Sequence, residues 1–294
     1  MKMELDDFLK SRKEKIEESL FSYIEKLKAP EVLKDAMNYS LEAGGKRIRP
    51  ILVLALLHTY SKQEEIGLAT ASAVELVHTY SLIHDDLPCM DDDDLRRGKP
   101  TNHKVFGEAM AVLAGDGLLT QSFSLIANDP HISSEKKLNI ITELVHAAGA
   151  EGMVGGQVAD MDGETKVLSL EELQYIHEHK TAKLLGFAII AGAILAEAPV
   201  QDIKYLREFS YHLGIAFQIR DDILDIEGEQ DLIGKPVGSD QGNEKNTYPS
   251  ILTLQGAKEK LTAHVDEAKS ILNKLSVPAT LLNNLCELIA NRNN

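Results

Sequence analysis

A stripe of polar residues on an otherwise apolar helical segment restricts the fold more than any other feature of this sequence. In AVELVHTYSLIHD, His78, Ser81 and Asp85 lie at i, i+3 and i+7, so they share one face of the predicted helix. Because unpaired charge is costly to bury, this face must border a cavity or a polar interface. Asp85, Asp86 and Asp91 also form a DDxxxxD pattern, although an acidic run by itself is more often a solvated surface than a ligand site.

A second polar stripe repeats this spacing in a later segment of the chain. In FQIRDDILD, Gln218, Asp221 and Asp225 again lie at i, i+3 and i+7. The apolar helical face that leads into this stripe consists of Leu206, Phe209 and Leu213. Asp221 and Asp225 are one helical turn apart, close enough to bind the same ion. Two such stripes in one chain favour a ligand site, and we expect the two carboxylate sets to face each other across one cavity.

The arrangement of the carboxylates is typical of Mg²⁺ sites rather than of zinc sites. Mg²⁺ takes one or two protein carboxylates, keeps several waters and completes its coordination shell with phosphate oxygens of a substrate. The histidines and the two cysteines show no zinc-ligand spacing. The sequence therefore predicts that a phosphate or diphosphate binds at the aspartates through metal ions.

Basic residues in the segment EAGGKRIRP fit a diphosphate ligand as well. The two glycines allow a close approach to the backbone just before Lys46, Arg47 and Arg49, and Pro50 suits the first turn of a helix. These cations can hold a second diphosphate that has no metal. An ordinary basic helix start would have the same composition, so both interpretations remain open.

Two further pairs of residues are also open to more than one interpretation. Arg96 and Arg97 follow the first acidic cluster, and they either neutralise a phosphate or pair with the aspartates at 92–94. Lys180 and Thr181 stand at the base of an apolar helix, where an unpaired lysine would be costly. Each of these signals is weak when it is considered alone.

Helical spacing dominates the chain, and strand-like alternation is nearly absent. Ser169 and Glu172 have the form of a capping box and predict the start of a helix. The Gly-rich stretch from Glu227 to Pro249 is too long for an idle loop in a compact domain. Within it, Lys235 can close over a ligand. The simplest architecture is a single all-α domain with helices stacked around a centre.

Composition excludes several classes of function. The 46 acidic and 31 basic residues give a net charge of −15, which argues against a general nucleic-acid binder. Two isolated cysteines indicate a reducing compartment. The charged, amphipathic segment MKMELDDFLKSRKEKIEESL is not a signal peptide. The longest apolar run, Leu184 to Ala196, is shorter than the about 20 residues of a membrane span. We therefore expect a cytoplasmic protein that is not an integral membrane protein.

With these residues in view, the chain resembles the trans-isoprenyl diphosphate synthases, and among them the bacterial farnesyl diphosphate synthases. The motifs that carry the resemblance follow in order: GGKRIRP, HTYSLIHDDLPCMDDDDLRRG, GDGLLT, GMVGGQVADM, HKTAKLL, FQIRDDILD and GKPVGSDQGNEKNTYP. They cover the chain from about Asn38 to Pro249. The insertion Pro88-Cys89 in the first Asp motif is typical of the bacterial enzymes.

The resemblance implies a fold, an activity and a cofactor. The expected fold is the isoprenoid synthase fold, one all-α polyprenyl synthetase domain over residues 1–294 with helices around a deep central cavity, usually in a homodimer. The expected ligands are small isoprenoid diphosphates and Mg²⁺, three ions in each active site, with Mn²⁺ as an alternative. In the expected reaction an allylic C–O bond ionises, the double bond of isopentenyl diphosphate attacks the carbocation, and a proton is lost to the departing diphosphate.

The resemblance also implies roles for individual residues. The metal ligands would be Asp85, Asp91 and Asp221, with Asp86 and Asp225 as helpers. The allylic diphosphate would be bound by Arg96, Lys180, Thr181, Gln218 and Lys235. Isopentenyl diphosphate would be bound by Lys46, Arg49, His78 and Arg97. The catalytic set would be Asp85, Asp91, Asp221, Lys180, Thr181 and Gln218. The ring of Phe217 would either stabilise cationic intermediates or belong to the core.

Several other functions stay open at this point. A geranylgeranyl diphosphate synthase or another short-chain synthase would run the same chemistry to another length, but Tyr80, five positions before Asp85, argues against it. In the family a bulky residue there closes the chain pocket. A terpene cyclase usually lacks the GGKRxRP motif. An inactive partner subunit or an acidic metal-binding scaffold would have a degraded second motif, and DDILD is intact here.

Overall fold

The computed structural model describes residues 5–164, 166–227 and 246–292. These residues form an almost entirely helical structure, which confirms the predicted all-α class. In chain order, the helices are α1 (Leu5–Glu25), α2 (Glu31–Leu41), α3 (Ile48–Thr59), α4 (Leu68–Asp85), α5 (Asn102–Phe106), α6 (Glu108–Ala127), α7 (Ser134–Ala148), α8 (Met153–Gly163), α9 (Leu170–Ile176), α10 (Lys183–Leu195), α11 (Val200–Glu227), α12 (Tyr248–Leu272) and α13 (Thr280–Asn291). A 3-10 turn (Glu64–Gly67) precedes α4, and a π-helix (His177–Ala182) joins α9 to α10. Two short strands, β1 (Leu95–Arg96) and β2 (Lys99–Pro100), pair as an antiparallel hairpin.

The chain divides into two compact units. The first consists of Met1–Leu54 and Gln63–Ile141, and the second of Ala55–Lys62 and Thr142–Asn294. The first Asp motif and the GGKRIRP segment belong to the first unit. The second Asp motif and the HKTAKLL segment belong to the second unit.

In the first unit, α4 packs along α6, and a glycine controls the distance between them. A Cβ atom at Gly115 of α6 would lie only 2.1 Å from Nε2 of His84 on α4. The His84 ring also makes an edge contact with Tyr80, with 5.7 Å between the ring centroids. The end of α4 that carries the first Asp motif is therefore held close to α6.

An ion pair inside the first unit fixes the GGKRIRP segment. Arg47 Nη1 lies 2.6 Å from Oε1 of Glu75, and the two side chains are only 1% and 3% exposed. Arg47 also donates to the carbonyl oxygen of Leu41 at 2.6 Å and contacts Glu17 Oε1 at 3.3 Å. Its backbone has a φ of 53°. Arg47 is therefore a structural residue.

In the second unit, the π-helix is enclosed between two helices that approach through glycines. A Cβ atom at Gly156 of α8 would lie 2.1 Å from the backbone nitrogen of Lys180. A Cβ atom at Gly214 of α11 would lie 2.3 Å from the Cβ of Ala182. Both substitutions would force backbones apart, so these glycines explain part of the GMVGGQVADM and YHLGIAF segments.

Local sequence signals correspond well to the observed helices. The Ser169–Glu172 capping box is present at the start of α9, as predicted. Pro50 lies in the first turn of α3. The apolar face that leads into the second Asp motif is fully buried at Leu206, Phe209 and Leu213. The Gly-rich stretch, with Lys235, lies outside the described residues for most of its length.

Within the part of the chain that the structure describes, two helical stretches are long and apolar enough to cross a membrane by length and composition, Glu64–Asp85 and Glu108–Ala127. The apolar run from Leu184 to Ala196, which the sequence singles out, is not one of them. In the first stretch, 72% of the most apolar window is buried inside the protein, and in the second 39% is buried. Core helices have the same composition, and α4 and α6 pack against each other here.

The Arg47–Glu75 pair leads to a prediction about stability. Replacing Glu75 by Gln leaves the buried guanidinium with less compensation, so the free energy of unfolding should fall by about 3 kcal/mol. The matched control is Glu65→Gln, because the Lys15–Glu65 pair is 3.6 Å long and exposed and should contribute less than about 1 kcal/mol. Chemical denaturation followed by circular dichroism measures both changes. Equal effects of the two substitutions would contradict the structural role of Arg47.

Candidate active site

The first Asp motif places two of its carboxylates on neighbouring residues in space. Asp85 is the last residue of α4, and the backbone nitrogen of Asp91 donates to the carbonyl oxygen of Asp85 at 2.9 Å. The insertion Pro88-Cys89 lies in the loop between them and is exposed. Asp85 is half-buried and Asp91 is exposed. The loop therefore brings the main chains of the two predicted metal ligands together.

Asp86 has a different environment from its neighbour. It is 3% exposed, and Arg96 Nε donates to its Oδ1 at 2.6 Å. Burial raises the pKa of Asp86, while the hydrogen bond and charge of Arg96 act in the opposite direction. Arg96 also contacts Asp93 Oδ2 at 3.1 Å. Of the two roles that the sequence left open for Arg96, pairing with the acidic cluster is therefore observed, and Asp86 is its buried partner.

The hairpin that follows connects the first Asp motif to the GGKRIRP segment. Arg97 and Gly98 form its turn with φ angles of 53° and 76°, as in the tight turns of two-residue hairpins. The guanidinium of Arg97 donates to the carbonyl oxygen of Gly44. It also lies directly above Gly45, where a Cβ atom would come within 2.8 Å of Nη1. Gly45 itself has a φ of 130°. The two glycines therefore provide the surface on which Arg97 rests.

His78 lies within a cluster of guanidinium groups. Burial lowers the pKa of His78 well below its usual value, and the positive charges of Arg49, Arg97, Arg47 and Arg96 lower it further. The imidazole is therefore neutral near pH 7. A concentration of positive charge around a neutral hydrogen-bonding ring is a favourable environment for a polyanion. Lys46, in the same segment, is exposed.

In the second unit, α11 presents the carboxylates of the second Asp motif in two directions. Asp221 and Asp225 are half-buried, whereas Asp222 is 4% exposed. Asp222 Oδ2 accepts a hydrogen bond from the backbone nitrogen of Tyr248 at 2.9 Å, so it fixes the start of α12. Gln218 Nε2 lies 3.5 Å from Asp222 Oδ1. Asp222 is therefore the packing residue of this motif, whereas the predicted metal ligands Asp221 and Asp225 remain partly accessible.

Asp221 already contacts a cation in this structure. Arg292, the residue that follows α13, lies with Nη2 2.5 Å from Oδ1 of Asp221. The same guanidinium lies over the Phe217 ring, with 3.8 Å from Cζ to the ring centroid. The Phe217 ring therefore contacts a cation rather than only the core.

The π-helix carries the two predicted allylic-site residues of this unit. Lys180 Nζ contacts Asp160 Oδ2 of α8 at 2.6 Å, and both side chains are partly exposed. Thr181 is half-buried. A π-helix widens the turn and is often found at functional sites. The lysine is thus held by an ion pair but remains accessible.

Three partners of these site residues had no recognisable signal in the sequence: Glu75, Asp160 and Arg292. Each lies far along the chain from the residue that it contacts, so helical spacing does not connect them. Asp160 belongs to the GMVGGQVADM segment, where the glycines were the more visible feature. Among residues 5–164, 166–227 and 246–292, no three His, Cys, Asp or Glu side chains are arranged to hold a metal ion on their own.

Comparison with known proteins identifies the family. The polyprenyl synthetase model matches residues 30–277. Farnesyl diphosphate synthase from Bacillus subtilis (strain 168) is 62% identical over 294 residues, which cover 99% of each chain. Farnesyl diphosphate synthase from Geobacillus stearothermophilus is 56% identical and covers 99% of this chain and 98% of its own.

A solved structure agrees with these sequences. The apo structure of an FPP/GFPP synthase from Zymomonas mobilis is 37% identical to this chain and superposes with a TM-score of 0.82. The match covers 96% of this chain and 98% of the other. The chain therefore belongs to the polyprenyl synthetase family, whose members are prenyltransferases.

Proposed function

We propose that the protein is a farnesyl diphosphate synthase, which condenses isopentenyl diphosphate head-to-tail with dimethylallyl and then geranyl diphosphate to give (2E,6E)-farnesyl diphosphate. The observation that supports this most directly is the guanidinium cluster around His78 beside the Asp85–Asp91 loop. The guanidinium cluster would bind one diphosphate without a metal ion. The Asp85–Asp91 loop beside it would bind the other diphosphate through metal. A condensation of two diphosphates requires both kinds of site.

The type and spacing of the carboxylates support a divalent-cation site. The backbone hydrogen bond between Asp91 and Asp85 brings the main chains of these two residues together, and Asp221 and Asp225 are one turn apart on α11. Asp221 contacts the guanidinium of Arg292, a cationic group. When bound, Mg²⁺ (or Mn²⁺) would be held by carboxylates of this kind and would supply positive charge that stabilises diphosphate as a leaving group. We assign Asp85, Asp91 and Asp221 as ligands, Asp86 and Asp225 as helpers, and three ions to the site.

The basic residues would divide between the two substrates. Arg96 has five N–H donors, so its bonds to Asp86 and Asp93 leave donors for the allylic diphosphate. Lys180 would bind the same group from the π-helix, and Lys235 would assist it. Isopentenyl diphosphate would bind at Lys46, Arg49, His78 and Arg97.

The residues of the chain would then direct a simple sequence of bond changes. The allylic C–O bond breaks, and its electron pair leaves with the diphosphate, whose charge Arg96 and Lys180 offset. The double bond of isopentenyl diphosphate attacks the allylic cation and forms the new C–C bond. A proton passes to the departing diphosphate. Thr181 and Gln218 would line this reacting centre, and apolar surroundings would keep water from the cation.

The cellular setting is part of the same proposal. A soluble, cytoplasmic homodimer acting on isoprenoid diphosphates is consistent with the net charge of −15. Helix α6 exposes the large apolar side chains of Val112 and Leu113, at 40% and 53%. Exposed apolar side chains of this kind are common where subunits meet, which supports the dimer.

The metal assignment predicts a strong dependence on both Asp motifs. Chelation by EDTA should abolish turnover, and Asp85→Ala or Asp221→Ala should lower kcat by at least about a hundred-fold, with the helical circular dichroism unchanged. The matched control is Asp94→Ala, because Asp94 lies in the same acidic run but pairs with Lys104 at 2.6 Å on the surface. Near-normal turnover by either site variant would contradict the metal assignment.

The two diphosphate sites should separate in steady-state kinetics. Arg49 lies in the basic cluster of the first unit, so Arg49→Ala should raise KM for isopentenyl diphosphate by about ten-fold, the effect of losing a hydrogen bond between charged groups. The KM for geranyl diphosphate should change much less. Arg207→Ala, which removes an exposed guanidinium paired with Glu143, controls for net charge. A larger effect on geranyl diphosphate than on isopentenyl diphosphate would reverse the assignment.

Chain length tests the product and the function together. Tyr80 is 7% exposed and lies five residues before Asp85 on α4, roughly 7.5 Å from it along the helix axis. A ring there would stop a growing chain. Incubation with isopentenyl diphosphate, dimethylallyl diphosphate and Mg²⁺ should give fifteen-carbon product, and Tyr80→Ala should extend it to twenty carbons or more. Tyr80→Phe keeps the ring and should retain fifteen. A folded, active Tyr80→Ala enzyme that still stops at fifteen carbons would place the stop elsewhere.

A further inference from the structure

Arg292 makes contacts that the reaction described above does not explain. It follows α13 with extended backbone angles, φ −61° and ψ 148°, and its guanidinium reaches Asp221. We propose that Arg292 is an internal counter-ion that occupies Asp221 while the second Asp motif lacks metal, and that metal loading must displace it. This inference rests on the proposed function, because it takes Asp221 as a metal ligand.

The guanidinium is held by several independent contacts. Besides Asp221, Arg292 Nη2 donates to the carbonyl oxygen of Phe217 at 3.0 Å. Its Cζ lies 3.8 Å from the centroid of the Phe217 ring, within the range of a cation–π contact. The carbonyl oxygen of Arg292 accepts hydrogen bonds from Arg220 Nε at 2.8 Å and Nη2 at 2.6 Å. One turn of α11 thus supplies a carboxylate, a carbonyl group, a ring and a guanidinium that together hold this residue.

Burial separates this contact from an ordinary surface ion pair. The Arg292 side chain is 11% exposed, whereas that of Asp221 is 42% exposed. The arginine is therefore the enclosed partner, and the carboxylate keeps an accessible side. A metal ion can approach Asp221 from that side, but it would meet the positive charge of Arg292 at the shared carboxylate.

A metal ion and Arg292 would compete for Asp221 because of their charges and the coordination that the metal requires. Mg²⁺ requires a regular octahedral arrangement of oxygen ligands, and Oδ1 of Asp221 is already engaged by an N–H donor at 2.5 Å. Two positive groups at one carboxylate repel each other, and the Phe217 ring holds only one of them. Displacement of Arg292 would also uncover the Phe217 ring beside Gln218. The contact with Arg292 would therefore offset the charge of Asp221 and raise the metal concentration that is needed to load the motif.

A direct binding measurement tests this without reference to turnover. Mn²⁺ binding to the full-length protein is followed by the electron paramagnetic resonance signal of free Mn²⁺, with inorganic pyrophosphate present. Arg292→Gln should tighten the Asp221-dependent binding by about five-fold, the size expected for removal of a partly exposed, charge-assisted contact. Arg292→Lys keeps the charge and should stay closer to the wild type. Arg207→Gln removes a positive charge elsewhere on α11 and should have no effect.

The outcomes distinguish the counter-ion role of Arg292 from the metal-ligand role of Asp221. Asp221→Asn should abolish the binding in question. If it does, and Arg292→Gln binds Mn²⁺ no more tightly than the wild type, the counter-ion role is wrong and the metal site stands. If Asp221→Asn binds as tightly as the wild type, the proposed metal assignment fails, and this inference fails with it.

The displacement of Arg292 from Asp221 can also be measured directly. Hydrogen exchange of the segment that ends α13 and contains Arg292 should accelerate when Mn²⁺ and pyrophosphate are added to the wild-type protein. The Asp221→Asn variant, which lacks the ion pair, should exchange rapidly under both conditions. Unchanged exchange in the loaded wild-type protein would show that Arg292 remains docked, and it would overturn the proposal.

Discussion

The need to balance negative charge on buried helices governs much of this structure. Among the described residues, buried carboxylates have specific guanidinium or backbone donors: Glu75 has Arg47, and Asp86 has Arg96. Asp222 has the backbone nitrogen of Tyr248. A buried carboxylate without such a partner would lose its charge or destabilise the fold. Asp85, Asp91 and Asp221, which we propose as metal ligands, remain partly or fully accessible.

Glycines determine where these charges can be brought together. Gly45 allows the Arg97 guanidinium to rest on the backbone, and Gly156 and Gly214 allow two helices to contact the π-helix. At all three positions a side chain would overlap an atom that is already in place. These glycines are therefore explained by close approach between chain segments. That close approach in turn positions the basic groups.

Much of the fold, and less of the site, could be predicted from the sequence. Helical spacing predicted α4 and α11 and the carboxylates at their ends, because a periodic apolar face is a local signal. The capping box at Ser169 was predicted for the same reason. The partners Asp160 and Arg292 were not found, since pairing across long separations leaves no periodic trace. The choice between phosphate binding and ion pairing for Arg96 also needed coordinates, because both uses require the same residue at the same position.

The π-helix affects how the insertion or deletion of one residue changes the direction of the side chains that follow. Each residue of an α-helix advances the side-chain direction by about 100°, so adding or removing one residue rotates everything beyond it. The wide turn at His177–Ala182 takes up such a residue locally. The segment thereby keeps the Lys180–Asp160 ion pair directly before the buried side chains of α10. An ordinary α-helical turn here would rotate Lys180 relative to the buried side chains of α10. The π-helix therefore sets the angle between them.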